Sequence, residues 1–174
     1  MTVHLVLGGA RSGKSGYAQR AAESVTAATG RSPLLIATAE AFDDEMRARI
    51  AMHQQERGTR WTTIETPLAL AQTIKDLPAE SCVVVDCLTL WLSNLFMHDT
   101  AIDTATDELI AAVNAFPGEL WLVSNEVGLG LVPETPLGRT FRDAAGRLHQ
   151  RLAVVADEVT LMVAGLPLTV KPRA

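Results

Sequence analysis

Eight consecutive residues near the amino-terminal end, Gly8, Gly9, Ala10, Arg11, Ser12, Gly13, Lys14 and Ser15, follow the pattern G-x-x-x-x-G-K-[ST]. The chemistry that needs this pattern is the holding of a triphosphate. Consecutive backbone N–H groups must converge on the β- and γ-phosphates, and glycine permits both the dihedral angles and the close approach. Lys14 supplies a point charge to the β/γ oxygens, and Ser15 a hydroxyl for Mg2+. A helix opening at Ser15 adds the positive end of its dipole. The pattern therefore predicts a nucleoside triphosphate ligand. Asp86 closes the apolar run VVVD, where a carboxylate would hold the Mg2+ shell. Its plainer alternative is a cap on the following helix. The guanine-reading signature of switch GTPases, N-K-x-D, does not occur in the sequence, which favours an enzyme over a regulatory switch.

A second group centres on His53. On a helix predicted over 43–57, Arg49 and Arg57 stand four residues before and after it, so the three share one face. Neighbouring guanidiniums would lower the imidazole pKa, keeping it neutral and nucleophilic near pH 7. They would also hold an incoming phosphate. That combination suits attack on an α-phosphate. On spacing alone, a solvated surface helix that happens to carry a histidine is the competing reading. His4, in the first strand, and His98, in a loop, read as structural or solvated.

Positioning such groups takes a scaffold, and the apolar pattern supplies one. Short apolar runs at 4–7, 34–38, 61–65, 81–86, 120–124 and 159–163 read as strands. Helical spacing predicts helices over 15–29, 43–57, 103–116 and 139–156, with another through Trp91 and Leu95. On the first of them Tyr17, Ala18, Ala21, Ala22 and Val25 form one apolar face. Thr66-Pro67 reads as the N-cap and first-turn proline of a further helix. Strands apolar on both faces and separated by helices imply an α/β fold: a mainly parallel sheet with helices on both faces. No internal repeat, low-complexity segment or linker divides the chain, so residues 1–174 read as a single domain.

Composition narrows the classes further. The 174 residues are 48% hydrophobic and 20% charged with a mean hydropathy of +0.16, too apolar for a disordered chain. A net charge of −5 and a pI near 5.3 argue against gripping nucleic acid by bulk electrostatics. The opening MTVHLVLGGARSGKS has no basic residues ahead of its short apolar run, and no apolar run reaches the roughly 18 residues of a membrane helix. These features predict a cytoplasmic protein without membrane insertion. Cys82 and Cys87 are too few for a zinc site and read as buried, reduced thiols.

With the cradle and the His53 helix in view, the sequence resembles the bifunctional adenosylcobinamide kinase / adenosylcobinamide-phosphate guanylyltransferase family of cobalamin biosynthesis. The matching text is LGGARSGKS at 7–15, IATAEAFDDEMRARIAMHQQER at 36–57 and RWTTIETP at 60–67. VVVDCLTLWLSNL at 83–95 and VSNEVGLGLVPETPLGRTFRDAAGRLHQRLA at 123–153 complete it, in order through nearly the whole chain. The resemblance implies two reactions. ATP or GTP phosphorylates the aminopropanol hydroxyl of adenosylcobinamide. GTP then donates GMP to a histidine, and the guanylylated enzyme passes it to adenosylcobinamide phosphate, giving adenosylcobinamide-GDP and pyrophosphate.

The position matching the guanylylated histidine is His53. GTP contacts carry over to Gly8 through Ser15, to Thr38, Ala39 and Glu40, to Gln54, Gln55, Glu56 and Arg57, and to Glu65 and Asp86. Glu65 and Asp86 would either accept from guanine N–H groups or hold Mg2+, and the sequence leaves that choice open. The family also implies a homotrimer. Asn125-Glu126 with Gly128 and Gly130 reads as a mobile loop over the corrinoid, without a chemical role. Departures are few: His149 stands where many relatives carry asparagine, and Met52 where some carry a second histidine. Two rivals make distinct demands. A single-activity kinase predicts phosphoryl transfer without any GMP-enzyme, and a nucleotide-gated binding module predicts GTP binding without turnover.

Overall fold

The apolar runs pair into one seven-stranded sheet in the order β3-β2-β4-β5-β1-β6-β7. The computed structural model describes residues 1–27, 30–40 and 60–173. Its strands are β1 (Thr2–Gly8), β2 (Leu34–Ala37), β3 (Thr62–Glu65), β4 (Cys82–Asp86), β5 (Glu119–Asn125), β6 (Glu158–Val163) and β7 (Leu166–Lys171). The helices are α1 (Lys14–Ala27), α2 (Leu70–Asp76), α3 (Leu88–Met97), α4 (Ile102–Ala115) and α5 (Pro136–Val155). Every strand pair is parallel except β6–β7, a hairpin closing one side of the sheet. The fold is therefore the expected α/β sheet.

Side-chain alternation along the strands divides the interior into two cores. Leu5, Ile36, Val83, Val85, Leu120 and Leu122 pack with residues of α2, α3, α4 and α5. Val6, Leu35, Val84, Trp121 and Val123 pack with Ala18 and Ala22 of α1 on the opposite face. Val83, Val84 and Val85 are each 0% exposed, so β4 is covered on both sides. Such burial contributes roughly 1.5–3 kcal/mol for each large aliphatic side chain. It also fixes register, because a one-residue slip would exchange the two cores.

Several elements depart from expectation for identifiable reasons. Thr66 does not cap a helix. Its N–H donates to the Ala37 carbonyl (2.9 Å), continuing the β3–β2 ladder, and α2 begins only at Leu70 with no side-chain cap at Ala69. On α1 the buried stripe is Ala18, Ala22 and Thr26 at i, i+4 spacing, while Val25 is 39% exposed. Thr26 tolerates burial because its hydroxyl donates to the Ala22 carbonyl (2.9 Å). α5 starts at Pro136, three residues before the expected Arg139, and Thr135 Oγ1 caps it by accepting from the Gly138 N–H (3.1 Å). The strand β7 went unread: Leu166 through Val170 are all exposed, so no buried face gave it an alternating signal. The helix expected over 43–57 lies outside the described residues.

His4 is structural as expected, stacked on Trp121 with ring centroids 4.6 Å apart and its ring nitrogens facing Glu119 and Glu158. Both cysteines are free and buried. Burial pushes the Cys82 thiol up to about 12 and the Cys87 thiol to about 11, so neither forms a reactive thiolate near neutral pH. Among the described residues, no helix is long and apolar enough to cross a membrane.

Candidate functional site at the C-terminal edge of the sheet

The parallel register brings Gly8, Glu65 and Asp86 to one edge. Gly8 pairs with Asn125 on one side and Met162 on the other, and Ala37 lies between Glu65 and Asp86. Ligands of open parallel sheets gather at this edge. Here β1 ends at Gly8 and α1 opens at Lys14, so the loop between them lies over the strand ends.

The glycines of the loop answer to different demands. A Cβ at Gly8 would lie 2.7 Å from the Met162 carbonyl oxygen and 2.6 Å from Ser12 Oγ. Gly13 has room, but its φ of +93° lies where side-chain-bearing residues are strained. Neighbouring segments brace the loop. The Glu126 N–H donates to the Gly8 carbonyl (2.9 Å) and the Gly165 N–H to the Ser12 carbonyl (3.1 Å). The Tyr17 N–H closes the first helical turn on the Gly13 carbonyl (2.9 Å). Lys14 is 7% exposed, and its Nζ donates to the Gly9 carbonyl (2.6 Å), which holds the ammonium within the loop. Ser15 follows in the first turn of α1, half-buried. Because the Met162 oxygen belongs to the backbone of β6, it cannot move aside for a methyl group. Gly8→Ala is therefore expected to destabilise the protein by about 1–3 kcal/mol, read as a lower urea midpoint with an unchanged slope.

Asp86 and Glu65 emerge on the face of the sheet that carries α1. Both pair with Ala37, which packs into the α1-side core, and paired residues of parallel strands share a face. Asp86 is half-buried and Glu65 exposed. Strand spacing sets them on the order of 10 Å apart, with Asp86 nearer to Gly8. Thr38 points the other way and is wholly buried. Its hydroxyl donates to the Cys87 carbonyl (2.6 Å) and accepts from the Cys87 N–H (2.9 Å), while its own N–H donates to the Asp86 carbonyl (3.3 Å). Thr38 thus fixes the chain that follows Asp86. Ala39 and Glu40 are half-buried, and a Glu40 oxygen lies 3.1 Å from His98 Nε2. His53, Arg49, Gln54, Gln55, Glu56 and Arg57 lie outside the described residues.

Behind the edge runs a buried polar chain that sequence reasoning missed. His149 Nε2 lies 2.8 Å from Ser124 Oγ, which lies 3.0 Å from Thr89 Oγ1, and that oxygen accepts the Asn125 N–H at 2.7 Å. The sequence marks only its middle, where the apolar strand LWLV ends in the polar pair Ser124-Asn125. Burial lowers the His149 pKa, with the nearby Glu126 carboxylate opposing part of that shift. A histidine held neutral in the fold takes up its proton more readily when unfolded. Its contribution is complete above about pH 6.5 and is lost as the pH falls toward the lowered native value. Urea midpoints measured between pH 7.5 and 5 should therefore fall on the acid side, and His149→Gln should flatten that limb.

The loop 126–135 is tied at both ends. The Glu126 carboxylate accepts the N–H groups of Gly128 (2.8 Å) and Leu129 (2.9 Å). Arg139 Nη1 donates to the carbonyls of Pro133 (3.0 Å) and Glu134 (2.7 Å). Ser15 at the start of α1 and Asp86 at the end of β4 offer one hydroxyl and one carboxylate, a donor set of the kind that suits Mg2+ carried in with a nucleotide, which needs one or two protein oxygens beside phosphate and water.

Comparisons with known proteins give both sequence relatives and likenesses of fold. The family model described as cobinamide kinase / cobinamide phosphate guanyltransferase matches residues 4–170. The chain is 48% identical over 170 residues to a bifunctional adenosylcobalamin biosynthesis protein of Pseudomonas aeruginosa, covering 96% of each. It is 41% identical over 185 residues to the bifunctional adenosylcobalamin biosynthesis protein of Salmonella typhimurium, covering 96% of this chain and 98% of the relative. Among solved structures, the flagellar accessory protein FlaH of Methanocaldococcus jannaschii aligns over 99% of this chain and 79% of its own, with a TM-score of 0.54 and 12% identity. A second solved structure, of an ATPase domain, aligns over 92% of this chain and 68% of its own, with a TM-score of 0.51 and 13% identity. Those two likenesses are of fold alone.

Proposed function

This chain belongs to the cobinamide kinase / cobinamide phosphate guanyltransferase family, and from that premise we propose that it is an enzyme of cobalamin biosynthesis with both activities. It phosphorylates adenosylcobinamide from ATP or GTP. It then moves GMP from GTP through a covalent GMP–His53 intermediate onto adenosylcobinamide phosphate, releasing pyrophosphate. The observation that carries this reading is the braced loop Gly8–Ser15 at the sheet edge, with the buried Lys14 ammonium inside it and Asp86 on the same face.

The chain's own groups divide the work. Backbone N–H groups of the loop and the start of α1 bind the β- and γ-phosphates, and Lys14 offsets their charge. Ser15 and Asp86 would hold Mg2+, which when bound neutralises charge on the phosphate oxygens. Glu65, at the far side of Ala37 from Asp86, would accept from guanine N–H groups, with Ala39 and Glu40 along the same edge. Arg49 and Arg57 flank His53 for attack on the α-phosphorus. One nucleotide-binding domain over residues 1–174, cytoplasmic and homotrimeric, acting on no nucleic acid or membrane, completes the proposal. Incubation with Mg2+ and adenosylcobinamide should transfer label from γ-labelled GTP to the corrinoid. GTP labelled at the α-phosphate should label the protein itself. Corrinoid labelling without protein labelling would leave a single-activity kinase.

A further inference from the structure

We propose that the side chain of Asn125 contacts the γ-phosphoryl end of the bound triphosphate, positioned by the buried chain Thr89–Ser124–His149. The inference rests on the reading of Gly8–Ser15 as the nucleotide cradle. It assigns a ligand contact to a residue outside that loop.

Topology places Asn125. In the sheet order, β5 lies between β1, which delivers the cradle, and β4, which delivers Asp86. Asn125 pairs with Gly8, whereas Asp86 pairs with Val123, so Asn125 stands two residues beyond Asp86 toward the open edge. Adjacent strands are about 4.8 Å apart, which sets the Asn125 backbone one strand spacing from the first residue of the cradle. Alternation then decides the face. Trp121 and Val123 project into the α1-side core, so Asn125 projects to that side as well, the side of α1 and Asp86. It is half-buried, and its side-chain amide makes no hydrogen bond to another described residue. A neutral amide so placed can donate to a terminal phosphate oxygen and accept from an incoming hydroxyl.

The backbone beneath this side chain needs support that the sheet does not give. β4 ends at Asp86, so past Val123 the strand β5 has no neighbour on that side, and the Asn125 N–H would lack a partner. Thr89, in the first turn of α3, supplies its hydroxyl oxygen instead. That N–H takes one of the two lone pairs of Thr89 Oγ1. Thr89 Oγ1 lies 3.0 Å from Ser124 Oγ, and Ser124 Oγ lies 2.8 Å from His149 Nε2, so the chain runs unbroken from the Asn125 backbone to α5. His149 is 8% exposed and Ser124 1%, so water does not substitute for either. Thr89, Ser124 and His149 are thus positioning residues, acting through the backbone of Asn125.

The test compares two nucleotides that differ only at the γ position. Titrations with Mg2+ and either GDP or a non-hydrolysable GTP analogue, read by calorimetry, give the affinity ratio directly. Asn125→Ala should weaken the analogue about tenfold and leave GDP within about twofold, as loss of one hydrogen bond to a charged group requires. Thr89→Val, which keeps shape, and Ser124→Ala should each reduce the ratio about threefold. His149→Gln, which keeps an acceptor near Nε2, should restore most of what His149→Leu loses. Equal weakening of both nucleotides by Asn125→Ala, or no change in either, would overturn the contact. An unchanged ratio in Thr89→Val and Ser124→Ala would overturn the positioning chain. A wild-type protein that binds neither nucleotide overturns the cradle reading and the contact together.

Discussion

Lys14→Ala is expected to lower both phosphoryl and guanylyl transfer by about a hundredfold or more, the scale of losing a preorganised group that stabilises transition-state charge. Both reactions use the same part of the nucleotide in different ways. In phosphorylation the bond to the γ-phosphorus breaks and negative charge grows on the β-phosphate oxygens. In guanylyl transfer the bond at the α-phosphorus breaks, and charge grows on the departing pyrophosphate. A cation held against the β/γ oxygens stabilises both. Lys14 is proposed as that cation because it is 7% exposed, at the start of α1, with its Nζ directed to the Gly9 carbonyl inside the loop. Alanine there removes the charge without disturbing the helix, since Ala is the best helix former. Circular dichroism and the urea midpoint should stay near wild type while steady-state rates with either label collapse. Near-normal rates at saturating nucleotide would mean that the loop is not the working site.

How far the sequence carried this reading depended on which forces shaped each part. The central strands and the cradle were legible because each expresses a strong local constraint. Val83, Val84 and Val85 must be apolar on both faces, and Gly8 must lack a Cβ beside the Met162 carbonyl. The start of α2 was illegible because Thr66-Pro67 carries a genuine capping signal that tertiary pairing overrides: the Thr66 N–H is taken by Ala37. The strand β7 was illegible because its partner β6 fixes it by backbone pairing while its side chains stay exposed. The same reasoning separates the site residues. Asp86 could be read from its place at the end of an apolar strand. Asn125 stands at an equivalent place on β5, but its meaning depends on the sheet order, which puts β5 between β1 and β4, and no local pattern encodes that order. The Thr89–Ser124–His149 chain joins residues 35 and 25 positions apart, beyond any spacing rule.

His53→Ala should abolish formation of the GMP-enzyme while sparing much of the kinase reaction. Guanylyl transfer through the enzyme is two displacements at the α-phosphorus, and the first needs an in-line protein nucleophile. Phosphorylation sends the corrinoid hydroxyl directly to the γ-phosphorus and needs none. A neutral imidazole is the right nucleophile, and Arg49 and Arg57 at i±4 can both stabilise the transferring phosphate and keep His53 unprotonated. The alternative acceptor is His149, and its surroundings argue against it. His149 is 8% exposed and its Nε2 is engaged by Ser124, so an α-phosphorus cannot reach that nitrogen without unpacking α5 from β5. A P–N bond to imidazole is labile in acid and stable in base, unlike a phosphoester of Ser or Thr. Label from α-labelled GTP should therefore survive alkali, be lost in mild acid, and map to the peptide containing Met52-His53-Gln54. His149→Gln should label as wild type does. Undiminished labelling of His53→Ala would move the nucleophile elsewhere. Loss of kinase activity in proportion to labelling would instead make His53 part of the common nucleotide site, because only a residue needed in both reactions lowers both together.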